Sequence, residues 1–227
     1  TAAWTDVDGA ERDPAAADAV NGHAVRLLAS AAGPRLIQVS TDYVFDGEAT
    51  TPYAEEAPRA PLNAYGRGKA LGERAALEHG GSVVRTAWLY GEHGANFVRT
   101  MLRLAATRDT LDVVDDQQGP PTWSLALAHQ LVALARAVTA GRAAPGVYHG
   151  TAAGSTTWHG LARAVFEEAG LDPARVRPTT SDRFPRPARR PSYSVLSHER
   201  WAGTGVDPLP HWRTMLTEAM PALLAQR

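Results

Sequence analysis

Cysteine is absent from the 227 residues. That excludes disulfides, thiolate metal ligands and a cysteine nucleophile, and it fits a cytoplasmic protein. Lysine is almost absent: of 23 basic residues one is Lys69 and the other 22 (23 − 1) are arginine. No apolar run is long enough to span a bilayer, and no signal-peptide pattern follows Thr1. A net charge of −1 gives no field that would draw the chain to nucleic acid or to a membrane surface. The eight histidines include no His-x-x-x-His or His-Glu-x-x-His pair, so no dedicated zinc site is expected and no metal ligand is assigned.

What remains is the composition of a globular protein, 44% hydrophobic and 21% charged. The pattern alternates strands with helices. Thr1-Ala2-Ala3-Trp4 reads as the tail of a strand. An Ala-rich helix is expected over 11–32, with Pro14 near its start, and a buried strand over 35–40. The stretch 42–62 reads as a loop over a site. Asn63 is placed to cap a helix over 64–78, ended by Gly80-Gly81. Further strands are expected over 82–90, 111–114 and 146–149, and helices over 96–107, 124–140, 156–169 and 211–224. Such alternation argues for an α/β fold with a parallel sheet covered on both faces. The Pro- and Arg-rich final third reads as a smaller lobe.

The single lysine lies four residues after a tyrosine, in Tyr65-Gly66-Arg67-Gly68-Lys69. On a helix the two share one face, one turn apart. A cation there favours the phenolate, which makes the pair a candidate proton donor and acceptor. Ser40-Thr41-Asp42 ends the buried strand just upstream. In open parallel sheets ligands bind beyond the carboxyl ends of strands, and a hydroxyl there can hold a carbonyl oxygen as it gains charge.

Strand-Ser-Thr followed by Tyr-x-x-x-Lys resembles the extended short-chain dehydrogenase/reductase superfamily. The ordered blocks 1–11, 39–47, 65–69, 85–90, 114–122 and 190–196 are similar to the dTDP-4-dehydrorhamnose reductase family over the whole chain. The resemblance implies a Rossmann-like parallel sheet, the remainder of an NADP-binding domain over 1–140, with a substrate-contacting segment near 88–110. Residues 141–227 would be mainly a substrate-binding lobe. It implies reduction of the C4 keto group of dTDP-4-dehydro-L-rhamnose by NADPH. Tyr65 would give the proton, Lys69 would lower the Tyr65 pKa and bond the nicotinamide ribose, and Thr41 would hold the carbonyl oxygen. Ala2, Ala3 and Ser40 would line the cofactor with Tyr65 and Lys69. Thr5, Val7, Asp42, Trp88 and Asn96 would lie near the sugar, and an Arg190 fork suits a diphosphate. NADH as an alternative hydride source, a homodimer, and magnesium at a contact between copies are further expectations of the resemblance; nothing in the sequence locates a magnesium site.

One part of the pattern is missing. No strand–Gly-rich turn–helix unit, which a dinucleotide pyrophosphate needs, is found, so a longer chain is expected to supply it ahead of Thr1. Two other readings stay open: a 4-ketoreductase for another dTDP-deoxysugar, and a non-catalytic NADP-binding regulatory subunit. A sugar-nucleotide dehydratase fits less well, because such enzymes resemble one another in carrying Asp-Glu after the active-site Thr, and here Tyr43 follows Thr41-Asp42.

Overall fold

Residues 2–225 are described by a computed structural model, in which the chain passes back and forth between two units. The first comprises the chain through Thr86, His129–Gly150 and Arg186–Pro208; the second comprises Ala87–Ala128, Thr151–Pro185 and the chain from Leu209 on.

In the first unit, Asp6 caps α1 (Val7–Arg12) by accepting the Gly9 N–H. The Ala-rich stretch then gives α2 (Pro14–Asp18), a π-helical turn over Ala19–His23, and α3 (Ala24–Ala32). Strand β1 (Ile37–Thr41) leads through the loop to α4 (Ala64–Glu78), which is followed by β2 (Ser82–Thr86). The sheet is parallel, in the order β1-β2-β7, where β7 is Val147–His149. Thr41 at the end of β1 lies in register with Thr86 at the end of β2, and Val84 with Tyr148. Strand β2 is buried along its whole length, its polar Ser82, Arg85 and Thr86 included.

The second unit has its own core. Helices α5 (Phe97–Ala105), α7 (Trp158–Glu168) and α8 (Trp212–Leu224) pack there around Val98, Leu102, Leu161, Phe166, Leu216 and Met220. Short strands frame it: β3 (Leu89–Tyr90) pairs with β6 (Thr122–Trp123), β4 (Leu111–Val114) with β9 (Val176–Thr179), and β5 (Gln118–Gly119) with β8 (Thr156–Thr157). Helix α6 (Ser124–Thr139) begins in this unit and continues in the first.

Three differences from the sequence reading have physical causes. The compact units do not divide at residue 140, because β7, beyond that point, pairs with β2 in the parallel sheet. The strand expected over 82–90 divides at Ala87-Trp88, where Trp88 takes φ +49°, a left-handed conformation no strand continues through. The strand tail expected at the start is not a strand over residues 2–4; the Trp4 backbone is held instead by the Asn21 side chain, and Thr1 lies outside the described residues.

Candidate active site

The helix that carries Tyr65 and Lys69 is fixed first at its amino end. Asn63 accepts the Gly66 N–H at 2.8 Å, and the Glu11 carboxylate accepts the Ala64 N–H at 2.6 Å. Two acceptors thus satisfy donors that a helix leaves open, and one of them brings negative charge to the positive end of the dipole. Gly66 lets this turn close on the loop, since a Cβ there would land on the Tyr43 carbonyl oxygen. Tyr65 then meets the Tyr43 ring edge to face at 5.9 Å and, like Trp4, packs against the cluster of Ala10, Ala17 and Ala64.

Lys69 comes from the next turn, and its ammonium donates to the Val39 carbonyl at 2.6 Å. Burial pulls its pKa down to about 8, and the negative Glu73 works against that. Thr41, at the carboxyl end of β1, donates to Asp42 Oδ1 at 2.9 Å and accepts the Tyr43 N–H. Asp42 is buried, and desolvation raises its carboxyl to about 6, against the hydroxyls of Ser194 and Thr41. Burial likewise pushes Tyr65 up to about 12, while the Thr41 hydroxyl beside it works the other way. The expected lowering of Tyr65 by Lys69 is therefore not found: the ammonium is turned onto a backbone carbonyl, and desolvation of the phenol dominates.

The structure thus brings Thr41, Tyr65 and Lys69 together at one edge of the parallel sheet. The other named residues divide. Ser40 is buried with its hydroxyl on Glu73 at 2.6 Å. Arg190 holds Asp8 with both prongs, at 2.7 and 2.9 Å, and these hydrogen bonds keep Asp8 below the ordinary carboxylate range. Ala2, Ala3 and Thr5 are exposed, and Val7 opens α1. Trp88 and Asn96 lie in the second unit. There Asn96 caps α5 through Arg99 N–H while its amide donates to the Gly91 carbonyl, and Trp88 stacks on Trp158.

Residues that sequence reasoning passed over also shape the site. The Asn21 side chain, buried in the π turn, pairs with both backbone groups of Trp4: it accepts from N–H at 2.9 Å and donates to C=O at 3.0 Å. A polar residue inside an Ala-rich apolar stretch was the signal available. Glu73 lies four residues beyond Lys69 and is fully buried.

The groups present fit the nicotinamide end of a dinucleotide. Lys69 keeps two N–H donors beyond the one given to Val39. The Thr86 hydroxyl, in register with Thr41 at the end of the sheet, is buried with no hydrogen-bond partner among the described residues. Among the described residues no glycine-rich turn joins a strand of the sheet to a helix in the way a pyrophosphate requires, and no three His, Asp or Glu side chains gather as a metal site would need.

Comparison with known proteins agrees with the fold. The family model described as the RmlD substrate binding domain matches residues 1–224. A dTDP-4-dehydrorhamnose reductase of Streptomyces griseus is 55% identical over 228 residues, covering 98% of this chain and 75% of its own length. A dTDP-4-keto-6-deoxy-D-glucose reductase of Streptomyces niveus is 51% identical, covering 99% of this chain and 78% of its own. Among solved structures, a dTDP-4-dehydrorhamnose reductase from Bacillus anthracis in complex with NADP superposes with a TM-score of 0.90 at 34% identity, over 96% of this chain and 78% of that one.

Proposed function

This chain belongs to the dTDP-4-dehydrorhamnose reductase family, and from that premise we propose that it reduces the C4 carbonyl of dTDP-4-dehydro-L-rhamnose with NADPH, giving dTDP-L-rhamnose. The observation that carries this reading is the convergence of Thr41, Tyr65 and Lys69 at the carboxyl edge of a parallel sheet.

NADPH, when bound, supplies the hydride. The protein's own groups do the rest. At neutral pH a Tyr65 hydroxyl raised to about 12 is fully protonated, so it stands ready as the proton donor to an oxygen that becomes an alkoxide. The Thr41 hydroxyl sits beside it to share that oxygen and to accompany the charge left on Tyr65. Lys69 supplies a positive charge one turn away and two N–H donors for the cofactor ribose. Asp42, Thr5, Val7, Trp88 and Asn96 are proposed as the sugar's neighbours, with Ala2, Ala3 and Ser40 along the cofactor. Arg190 takes part in diphosphate binding only by releasing Asp8.

A second reading keeps the chemistry and changes the sugar: another dTDP-linked 4-keto deoxysugar. The Streptomyces niveus relative, named for a 4-keto-6-deoxy-D-glucose, favours keeping it. NADPH oxidation followed at 340 nm with each dTDP-4-keto sugar separates the two. Tyr65→Phe in the full-length protein is expected to lose most turnover while still binding NADPH. Wild-type turnover in that variant removes Tyr65 as the donor. A homodimer belongs to the same proposal, and light scattering reads it directly.

A further inference from the structure

Tyr65, Lys69 and Glu73 recur at intervals of four on α4 and so form one face of the helix. The first two belong to the proposed chemistry. The third is fully buried and accepts four hydrogen bonds. Its Oε1 accepts the Ser40 hydroxyl at 2.6 Å and Arg85 Nε at 2.8 Å. Its Oε2 accepts Arg85 NH2 at 2.8 Å and Arg59 NH1 at 3.2 Å.

These bonds do more than satisfy a buried charge. Lys69 to the Val39 carbonyl and Ser40 to Glu73 are two successive links from α4 to two successive residues of β1. The next residue of that strand is Thr41. The two links therefore tie the helix that carries Tyr65 to the residues of β1 just before Thr41. Arg85 carries the same carboxylate to β2 and is itself held by the Glu55 carbonyl at 3.0 Å and by His149 Nε2 at 3.3 Å.

We propose that Glu73 is a positioning residue for the Tyr65–Lys69 pair, keeping the ammonium of Lys69 charged and the end of β1 that bears Thr41 fixed against α4. The proposal rests on the reductase reading above. The groups that bear on Lys69 from the packed elements have both signs. Tyr65, Glu73 and, beside Gly68, Asp18 are on or against its helix. Asp42 follows β1, Arg85 lies on β2, and Arg59 reaches in from the loop. Glu73 is the one whose charge opposes the burial of Lys69. Arg85 and Arg59 temper it by sharing its oxygens.

Two substitutions test this with opposite signs. Glu73→Gln keeps an oxygen for Ser40 and removes the charge. The upper pH limb of turnover is then expected to move down by about one unit. Arg59→Gln leaves the carboxylate less compensated and should move that limb up; Arg59 is partly exposed, so this variant disturbs the fold least. The titration of Lys69 is read separately by ¹³C-methyl NMR after reductive methylation, its signal identified by its loss in Lys69→Met. A Lys69 titration that falls in Glu73→Gln and rises in Arg59→Gln supports the proposal. A folded Glu73→Gln protein with an unchanged titration, losing the same fraction of turnover at every pH, overturns it. If Glu73→Gln does not fold, Arg59→Gln decides alone: a rise supports the proposal and no movement overturns it. A wild-type protein that turns over no 4-keto sugar defeats the reductase reading, while the NMR titration still reports on Glu73.

Discussion

Trp88 and Trp158 lie face to face, ring centroids 3.5 Å apart and planes 4° from parallel. The stack is held from both sides. Trp158 donates its indole N–H to the Gln117 side chain at 3.1 Å and meets Phe97 at 4.6 Å. Trp88 lies over Gly119, where a Cβ would come 2.5 Å from its ring. Its own backbone is left-handed, φ +49°, which costs of order 1–3 kcal/mol in a residue with a side chain. Such strain persists only where the surroundings impose it.

Gly119→Ala is therefore expected to push the Trp88 indole off the stack. If Trp88 borders the sugar, the KM for the sugar nucleotide rises several-fold while that for NADPH stays put. Trp158→Phe should cost about 1 kcal/mol of stability and abolish the near-UV circular dichroism of the paired indoles. An unchanged near-UV spectrum in both variants would show that the stack is not formed in solution.

The Asn21 clamp gives a second prediction. Asn21→Leu removes both hydrogen bonds to Trp4 and leaves two backbone groups to find water. A loss of about 1–3 kcal/mol in urea unfolding is expected, with NADPH and sugar binding both weakened, because Trp4 lies between Ala3, proposed for the cofactor, and Thr5, proposed for the sugar. Unchanged binding of both ligands in the folded variant would count against that placement.

Two buried titrating groups act on stability with opposite signs. His149 accepts an Arg85 N–H on Nε2, since arginine only donates, so its Nδ1–H is what donates to the Ser197 carbonyl, at 2.9 Å. The ring is thus neutral, and burial together with Arg85 lowers its pKa to about 3. Below pH 6.5 the unfolded chain binds the extra proton, so this stability is lost as pH falls from about 6.5 toward 3. Asp42, raised to about 6 from 3.8, behaves inversely: the folded state holds the extra proton, and stability falls as pH rises from about 4 to 6. Asp42→Asn should then be the more stable protein at pH 7, by an amount of order 3 kcal/mol, and His149→Asn should flatten the loss between pH 6.5 and 4. Urea midpoints at pH 4.5, 5.5 and 7 measure both; a wild-type pH dependence in His149→Asn would refute the neutral-ring assignment.

How much of this was legible in the sequence depended on whether the signal was local. Helix α4 was readable to the residue, because Asn63 caps it and Gly80-Gly81 stops it within a few positions of its ends. The Tyr65–Lys69 pair was readable for the same reason. The π turn at Ala19–His23 was not, since Asn21 at its centre is bonded to Trp4, 17 residues away. Trp88 in a left-handed conformation could not be anticipated from a run of β-formers; its stacking partner lies 70 positions on (158 − 88). Strand β9 contains Pro178 and reads as loop, yet it pairs in parallel with β4. Lys69 was singled out by composition alone, but the direction of the Tyr65 shift required knowing how deeply the phenol is buried and that Lys69 faces Val39.

The interleaving of the two units bears on how the molecule is made. A chain leaving the ribosome has β1 and β2 in hand by residue 86, but β7 is not synthesised until residue 149. The segment whose Tyr53–Leu196 bridge and Ser197–Glu55 bond secure the loop after β1 comes later still. Until then Glu73, Arg85 and Glu55 wait beside a sheet with one edge strand missing. A nascent product that ends before about residue 208 lacks part of each unit, so premature termination there should give a product for quality control to degrade rather than a partial enzyme.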